Sequence, residues 1–100
     1  MRYDKDIYFQ KRTQGAYDPE TGDYGNATIE EEHKHADVID TKTITMQVVY
    51  GKIKQGSLTI SIQNHYEKPF DYIRYENRRY RVDYSRKLNT KHVFVVSEAP

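Results

Sequence analysis

Residues 57–63, SLTISIQ, decide the fold, because apolar and polar side chains alternate strictly along them. Leu58, Ile60 and Ile62 fall on one side of an extended chain, since successive side chains of a β-strand point to opposite faces. Such alternation is typical of a strand with one face in the core and the other in solvent. The segment therefore predicts a half-buried strand.

The chain on the C-terminal side of this strand continues the β pattern. Residues 70–84, FDYIRYENRRYRVDY, predict a hairpin that turns at residues 76–78. The side chains expected on its core-facing side are Ile73, Tyr75, Tyr80, Val82 and Tyr84. Residues 91–96, KHVFVV, predict a last strand, and residues 97–100 predict a frayed tail.

The chain on the N-terminal side is less uniform. Residues 6–12 predict a first strand, and the turn formers within residues 14–26 predict a long mobile loop. Residues 28–40 begin like a helix capping box, but their apolar side chains do not follow helical spacing, so extended structure is favoured. Residues 43–50, TITMQVVY, fit either a short helix stopped by Gly51 or an alternating strand.

The composition favours β structure throughout. Val and Ile together number 15 among 100 residues, against 6 for Ala and Leu, and 10 tyrosines add to the residues that prefer pleated surfaces. This length is enough for one domain, so we expect a single all-β domain over residues 1–100 with at most one short helix. Five or six strands favour a small curled sheet or β-barrel, because closure limits exposed strand edges.

The composition also excludes several functional classes. The chain has no Cys, which removes disulfides, thiol nucleophiles and cysteine zinc sites, and its formal net charge is +1. Its longest apolar runs are far shorter than a membrane span, and its charged N-terminus lacks the apolar stretch of a signal peptide. No arrangement of Ser, His and carboxylates indicates a nucleophile. We expect an intracellular, non-enzymatic protein without a catalytic residue, cofactor, small-molecule substrate or membrane partner.

One group of side chains has the chemistry of a metal site. Glu31, His33 and His35 alternate along the chain and so share one face of an extended strand. Two imidazoles and a carboxylate are zinc ligands, but no fourth ligand stands at a recognisable spacing. A solvated strand face is therefore the favoured interpretation, and we expect no bound metal.

Charge is unevenly distributed along the chain. Residues 18–40 carry eight acidic residues and one base, whereas residues 74–91 carry seven bases and two acidic residues. The predicted hairpin places Arg74, Arg79 and Arg81 on the face opposite the core. Three interpretations remain open: unrelated solvated faces, complementary patches for head-to-tail assembly, or, with the neighbouring tyrosines, a platform for single-stranded nucleic acid.

Three stretches taken in order resemble a family of bacteriophage proteins. They are YDPETGDYG at residues 17–25, VVYGKIKQGSLTISIQNHY at residues 48–66 and PFDYIRYENRRYRVDYSR at residues 69–86. Together they look like the small head-tail adaptor, or head-closure, proteins of long-tailed phages and prophages of Gram-positive bacteria, often labelled minor capsid proteins. The late hairpin of that family carries an aromatic, turn, Tyr-x-hydrophobic signature, which Tyr75, Tyr80 and Val82 match here.

The resemblance implies a structural role in the virion. Family members form a ring beneath the portal, bridge portal and tail, and help to retain the packaged genome. The implied partners are further copies of the chain, a portal or adaptor protein, a tail-side protein and packaged double-stranded DNA. The residues then expected at a subunit or partner interface are Tyr17, Asp18, Glu20 and Tyr24.

The resemblance also gives the basic face a role and leaves rivals. Arg74, Arg79 and Arg81 are expected to face DNA or an acidic patch on a neighbour. Two alternatives stay open: an OB-like or SH3-like module that binds single-stranded nucleic acid, and another virion part such as a tail-completion protein.

Overall fold

The computed structural model describes residues 2–13, 17–18, 20, 22–24, 28–51 and 56–99. Within these residues the chain forms eight strands and one short helix. The elements are β1 (Lys5–Thr13), β2 (Tyr17–Asp18), β3 (Asp23–Tyr24), β4 (Thr28–Asp40), α1 (Thr43–Tyr50), β5 (Leu58–Gln63), β6 (Tyr72–Tyr75), β7 (Arg78–Lys87) and β8 (Lys91–Glu98).

Six of the strands close into a barrel in the order β1-β4-β5-β8-β7-β6. Every neighbouring pair is antiparallel, and the barrel closes where β1 pairs with β6, from Tyr8 opposite Arg74 to Gln10 opposite Tyr72. The small all-β barrel predicted from the sequence is confirmed. Closure pairs both edges of the sheet, which removes the unpaired backbone groups that an open sheet exposes.

The core forms where the alternating strands turn their apolar sides inward. Ile60 of β5 lies between Val38 of β4 and Phe94 of β8, as the alternation in residues 57–63 requires. An aromatic cluster fills the interior, in which Phe9 stacks on Tyr66 at 3.8 Å between ring centroids. The members of the core cluster are Ile7, Phe9, Ala36, Ile60, Ile62, Tyr66, Ile73, Tyr80, Phe94 and Val96.

The helix resolves the ambiguity of residues 43–50. Gly51 takes a left-handed φ of 70° and donates its N–H to the Gln47 carbonyl at 3.0 Å, so the glycine stop prevails over the alternating pattern. Tyr50 lies on the barrel wall, where its hydroxyl donates to the Asp83 carboxylate of β7 at 2.5 Å. The opposite side of the helix exposes Ile44 and Val48.

The predicted hairpin forms, but one of its side chains faces the opposite side from the one predicted. Glu76 and Asn77 both take positive φ values, 51° and 62°, as a two-residue turn with primed geometry requires. Beyond Val82 a β-bulge shifts the register by one residue, so that Tyr84 pairs with Val95 and is 47% exposed. The prediction that Tyr84 faces the core is therefore wrong, because the extra residue reverses the alternation.

The two ends of the predicted pattern also need adjustment. β8 continues through Glu98, and the N–H of Ala99 donates to the Arg79 carbonyl at 2.8 Å, so the first residues of the segment expected to fray belong to a strand. In the segment predicted as a long loop, the described residues include a small antiparallel ladder that pairs Tyr17 with Tyr24. Residues 28–40 are extended throughout, as predicted.

β1 and β4 continue together past the closing pair of the barrel. The radius of gyration is 16.0 Å and the extents are 55 × 28 × 23 Å, against about 13 Å for a compact chain of this length. Beyond Gln10, the pairs that join residues 11–13 to residues 28–30 are exposed. We call these two segments the arm. Asp71 holds its base by accepting the Arg12 N–H at 2.8 Å.

Candidate interaction surface

The outer wall of the barrel collects polar and aromatic side chains in rows across several strands. Asp6, Tyr8 and Gln10 alternate along β1 with the buried Ile7 and Phe9, so they point outward. The strand register then fixes their neighbours. Asp6 lies opposite His35, Tyr8 lies between His33 and Arg74, and Gln10 lies between Glu31 and Tyr72.

Arg74 is the centre of this surface. Its guanidinium lies over the Tyr8 ring, 4.1 Å from the centroid. It also donates to both carboxylate oxygens of Glu31, from Nε to Oε2 at 2.7 Å and from Nη2 to Oε1 at 3.3 Å. These hydrogen bonds lower the pKa of Glu31 below its ordinary value of 4.5 and raise the pKa of Arg74. The pair is therefore charged at neutral pH.

The other two predicted basic residues lie on the same outer wall. Arg79 is directly opposite Arg74, and its guanidinium covers the Tyr72 ring at 4.6 Å from the centroid. Nε of Arg81 lies 3.3 Å from a carboxylate oxygen of Asp83 and 3.3 Å from the Ser97 hydroxyl. The three arginines thus share a face, as predicted, and both Arg74 and Arg81 pair with carboxylates of the same chain.

These contacts within the chain reduce the charge separation that the sequence suggests between its acidic and basic segments. Glu31 belongs to the acidic segment and Arg74 to the basic segment, yet they neutralise each other across β1. Glu32 of the acidic segment also has a partner in the chain, because it accepts from Lys68, outside the basic segment, at 3.0 Å. Some of the opposite charges that the sequence offers for contacts between subunits are therefore paired within one subunit.

The predicted interface residues fall in the least described part of the chain. The backbone of Tyr17 pairs with Tyr24, and that of Asp18 with Asp23. The side chains of Tyr17, Asp18 and Tyr24 lie outside the part of the chain that the structure describes, so their role stays a prediction. Glu20 is exposed.

A shallow apolar groove, which the sequence pattern did not indicate, crosses the outer wall beside α1. Tyr84 enters it because of the bulge, and its other apolar lining residues are Ile39, Leu88, Val93 and Val95. Ile39 and Tyr84 are among the exposed large hydrophobic side chains, and a third, Ile29, lies on the arm. The groove and the arm thus expose apolar side chains to a possible partner, as α1 does with Ile44 and Val48.

The two remaining histidines have structural partners. His92 is buried, its Nδ1 accepts the Tyr66 N–H at 3.2 Å, and burial lowers its pKa. Nε2 of His65 contacts the Leu88 carbonyl, and its ring lies edge-on to His92 at 6.0 Å. Both side chains therefore tie the segment after β5 to the start of β8.

The predicted histidine cluster forms with a different carboxylate. Glu31 is occupied by Arg74, whereas Asp6 of β1 reaches both His33 and His35. Sequence reasoning missed Asp6 because it lies far from the histidines along the chain. Only the register of β1 against β4 brings them together.

Comparisons with known proteins leave the family open. No protein-family model matches the chain, and no curated protein sequence shows significant similarity to it. Among the described residues, the helix that the chain forms is too short to span a bilayer.

Proposed function

We propose that this chain is a non-enzymatic structural protein of a phage virion, a head-tail adaptor or head-completion subunit. Copies assemble as a ring between portal and tail and help to retain packaged DNA. The protein is made in the cytoplasm of the bacterial host and acts at the head-tail joint. The proposal rests on the three resembling stretches and, in the structure, on one observation, the arm.

The arm supports an assembly role because its side chains lie outside the core of the isolated subunit. Its residues contribute nothing to the core cluster, and Ile29 is 54% exposed. Fixing each backbone residue costs about 1–2 kcal/mol. A partner that covers the arm supplies the apolar burial that would offset this cost.

The groove provides a matching surface on the same chain. A projecting element and a recess on one subunit are the two halves of a heterologous contact, which generates a ring when the rotation closes. We propose that the arm of one subunit lies on the groove around Tyr84 and Ile39 of the next. Tyr17, Asp18, Glu20 and Tyr24 then contribute to the same contact or to the portal.

Deletion of the gene from its phage or prophage tests the proposal directly. After induction, electron microscopy should reveal full-size heads beside free, complete tails. Tails of abnormal length would support a tail-completion role instead. Virions of normal form and infectivity would overturn the connector proposal.

A double substitution tests the interface residues. Tyr17→Ala with Tyr24→Ala should abolish ring assembly or docking, measured by native mass spectrometry and by complementation of the deletion, while circular dichroism of the subunit is unchanged. Tyr3→Ala, a partly exposed tyrosine outside this segment, is the matched control. Normal assembly by the double variant would refute the role of these tyrosines.

A second candidate function rests on the basic face. Arg74 and Arg79 lie over the rings of Tyr8 and Tyr72, and such pairs resemble the stacking platforms of single-stranded nucleic-acid binders. Fluorescence anisotropy with labelled oligonucleotides separates the candidates. Micromolar binding that weakens steeply with salt and is lost in Arg79→Ala would favour this module.

A further inference from the structure

Strand register concentrates three metal-ligating side chains at one point of the outer wall. Asp6 and His35 are directly opposite each other on β1 and β4, and His33 lies two residues before His35 on the same face. All three side chains are exposed, so an ion reaches them from solvent without rearrangement of the core.

The donor atoms converge. Nε2 of His33 lies 2.7 Å from Oδ1 of Asp6, and Nε2 of His35 lies 3.4 Å from the same oxygen. One ligand atom from each residue lies within 4.8 Å of the other two. In a tetrahedral zinc site with bonds of about 2.0–2.2 Å, ligand atoms are about 3.4 Å apart, so small side-chain rotations suffice.

Ring packing favours this convergence. The two imidazoles meet edge to face, with centroids 4.8 Å apart and planes at 86°. The other side of His33 lies near the Tyr8 ring at 5.1 Å. Tyr8 is itself covered by Arg74, whose guanidinium is directed to Glu31. Arg74 therefore has its own carboxylate, and Asp6 contacts the two histidines.

We propose that Asp6, His33 and His35 form a surface binding site for a divalent transition-metal ion of the zinc class. Two imidazole nitrogens and one carboxylate oxygen match the ligand preference of Zn²⁺, and three protein ligands leave a position for water or for a fourth ligand from a partner. The bound ion joins β1 to β4 across the barrel wall. It therefore stabilises the folded chain, because the unfolded chain holds no preformed site.

This site departs from the expectation of no metal made on the sequence. That expectation considered Glu31 as the carboxylate and found no further ligand. The register replaces Glu31 with Asp6, which gives a precise way to test the assignment. A site of the three residues named here depends on Asp6 and not on Glu31.

Calorimetric titration of Zn²⁺ into the untagged, chelator-treated chain at neutral pH tests the proposal. We expect saturable binding of one ion per chain and a rise in melting temperature with Zn²⁺ concentration. His33→Gln, His35→Gln and Asp6→Asn should each weaken binding at least about tenfold, since loss of even an outer-shell partner costs 10–100-fold. In nitrogen-detected NMR, the Nε2 resonances of His33 and His35 should shift on addition of Zn²⁺.

Two matched variants serve as controls. Glu30→Gln and His65→Gln change an exposed carboxylate and an exposed imidazole outside the site, so they should leave the affinity unchanged. Circular dichroism of each variant verifies that the barrel is intact. The absence of saturable binding would overturn the proposal, as would affinity that is equally reduced in His65→Gln or unaltered in His33→Gln and Asp6→Asn.

Discussion

Strands β1 and β4 run through both the barrel and the arm, but their side chains meet opposite environments in the two regions. Inside the barrel, Phe9 of β1 stacks on Tyr66 and contacts Phe94 edge-on with 5.6 Å between centroids. A few residues further along, the arm pairs Arg12 with Ile29 and Thr13 with Thr28, and these side chains are exposed.

This difference separates two roles of the β1–β4 pair, one in the barrel core and one in the arm. Burial of apolar surface stabilises the barrel by about 25 cal/mol per Å², whereas backbone hydrogen bonds in solvent contribute little net free energy. The arm therefore adds little apolar burial to the isolated chain, and its one apolar side chain, Ile29, is exposed. Substitutions in the barrel should change stability, and substitutions in the arm should change association.

The largest effect on stability is expected from truncation of the aromatic core. Phe94 is 1% exposed and belongs to the core cluster. Phe94→Ala should lower the free energy of unfolding by about 3–5 kcal/mol, because it removes buried surface and leaves a cavity. Urea denaturation measures this change. A loss below about 1 kcal/mol would contradict the distinction between barrel and arm, since the stability of the barrel would then not depend on its aromatic cluster.

An intermediate effect is expected where α1 joins the barrel. The Tyr50 hydroxyl donates to Asp83, and burial together with this carboxylate raises the pKa of Tyr50. Tyr50→Phe removes the donor but keeps the ring, so the free energy of unfolding should fall by about 1–2 kcal/mol. Hydrogen exchange should report faster opening of α1. An unchanged denaturation midpoint would indicate that the helix is held by its apolar contacts alone.

A smaller, pH-dependent effect is expected at the base of the arm. Glu31 accepts from Arg74 and Gln10, and these contacts lower the pKa of Glu31 in the folded chain. The stability that the carboxylate contributes is therefore present above its unfolded value of 4.5 and is lost as pH falls through the lowered folded value. Glu31→Gln should cost about 0.5–1 kcal/mol at neutral pH.

Acid titration of the two chains checks the sign of this effect. The difference in unfolding free energy between wild type and Glu31→Gln should shrink as pH is lowered below 4.5. A difference that persists or grows in acid would contradict the ion pair. It would also show that the Glu31–Arg74 contact does not link β4 to β6 electrostatically at the boundary between the barrel and the arm.

The barrel itself could be predicted from the sequence because its signals are local. Alternation in residues 57–63 and the turn residues of the hairpin act over a few positions, and they correctly predicted strands and the facing of Ile73 and Tyr80. The prediction that the polar side of residues 57–63 faces solvent is wrong, because Ser57 and Ser61 are buried. Tyr84 was missed because the register shift after Val82 depends on pairing with β8, which the hairpin sequence does not specify.

The surface sites could be predicted only in part, since they depend on contacts between distant residues. The sequence correctly put Arg74, Arg79 and Arg81 on one face, because period-two alternation is enough for that. The partners of these residues come from other strands. Glu31 beside Arg74 and Asp6 beside His33 follow from the register of β1 against β4 and β6, which no local pattern encodes.

The smallest effect on stability, combined with the largest on association, is expected in the arm. Ile29→Thr keeps a β-branched residue on the strand and removes apolar surface that the isolated chain leaves exposed. The free energy of unfolding should change by less than about 0.5 kcal/mol. Ring assembly, measured by native mass spectrometry at a series of concentrations, should be lost or weakened, because the partner would then cover a hydroxyl in place of an alkyl group.

Ile44→Thr is the matched control, since Ile44 is another exposed isoleucine but lies on α1, outside both the arm and the groove. If both variants weakened assembly equally, overall surface hydrophobicity would explain the loss and the arm would have no special role. If Ile29→Thr unfolded the chain, the arm would belong to the barrel and the distinction drawn above would fail. Loss of assembly in Ile29→Thr alone, with stability unchanged, is the result that the exposed hairpin predicts.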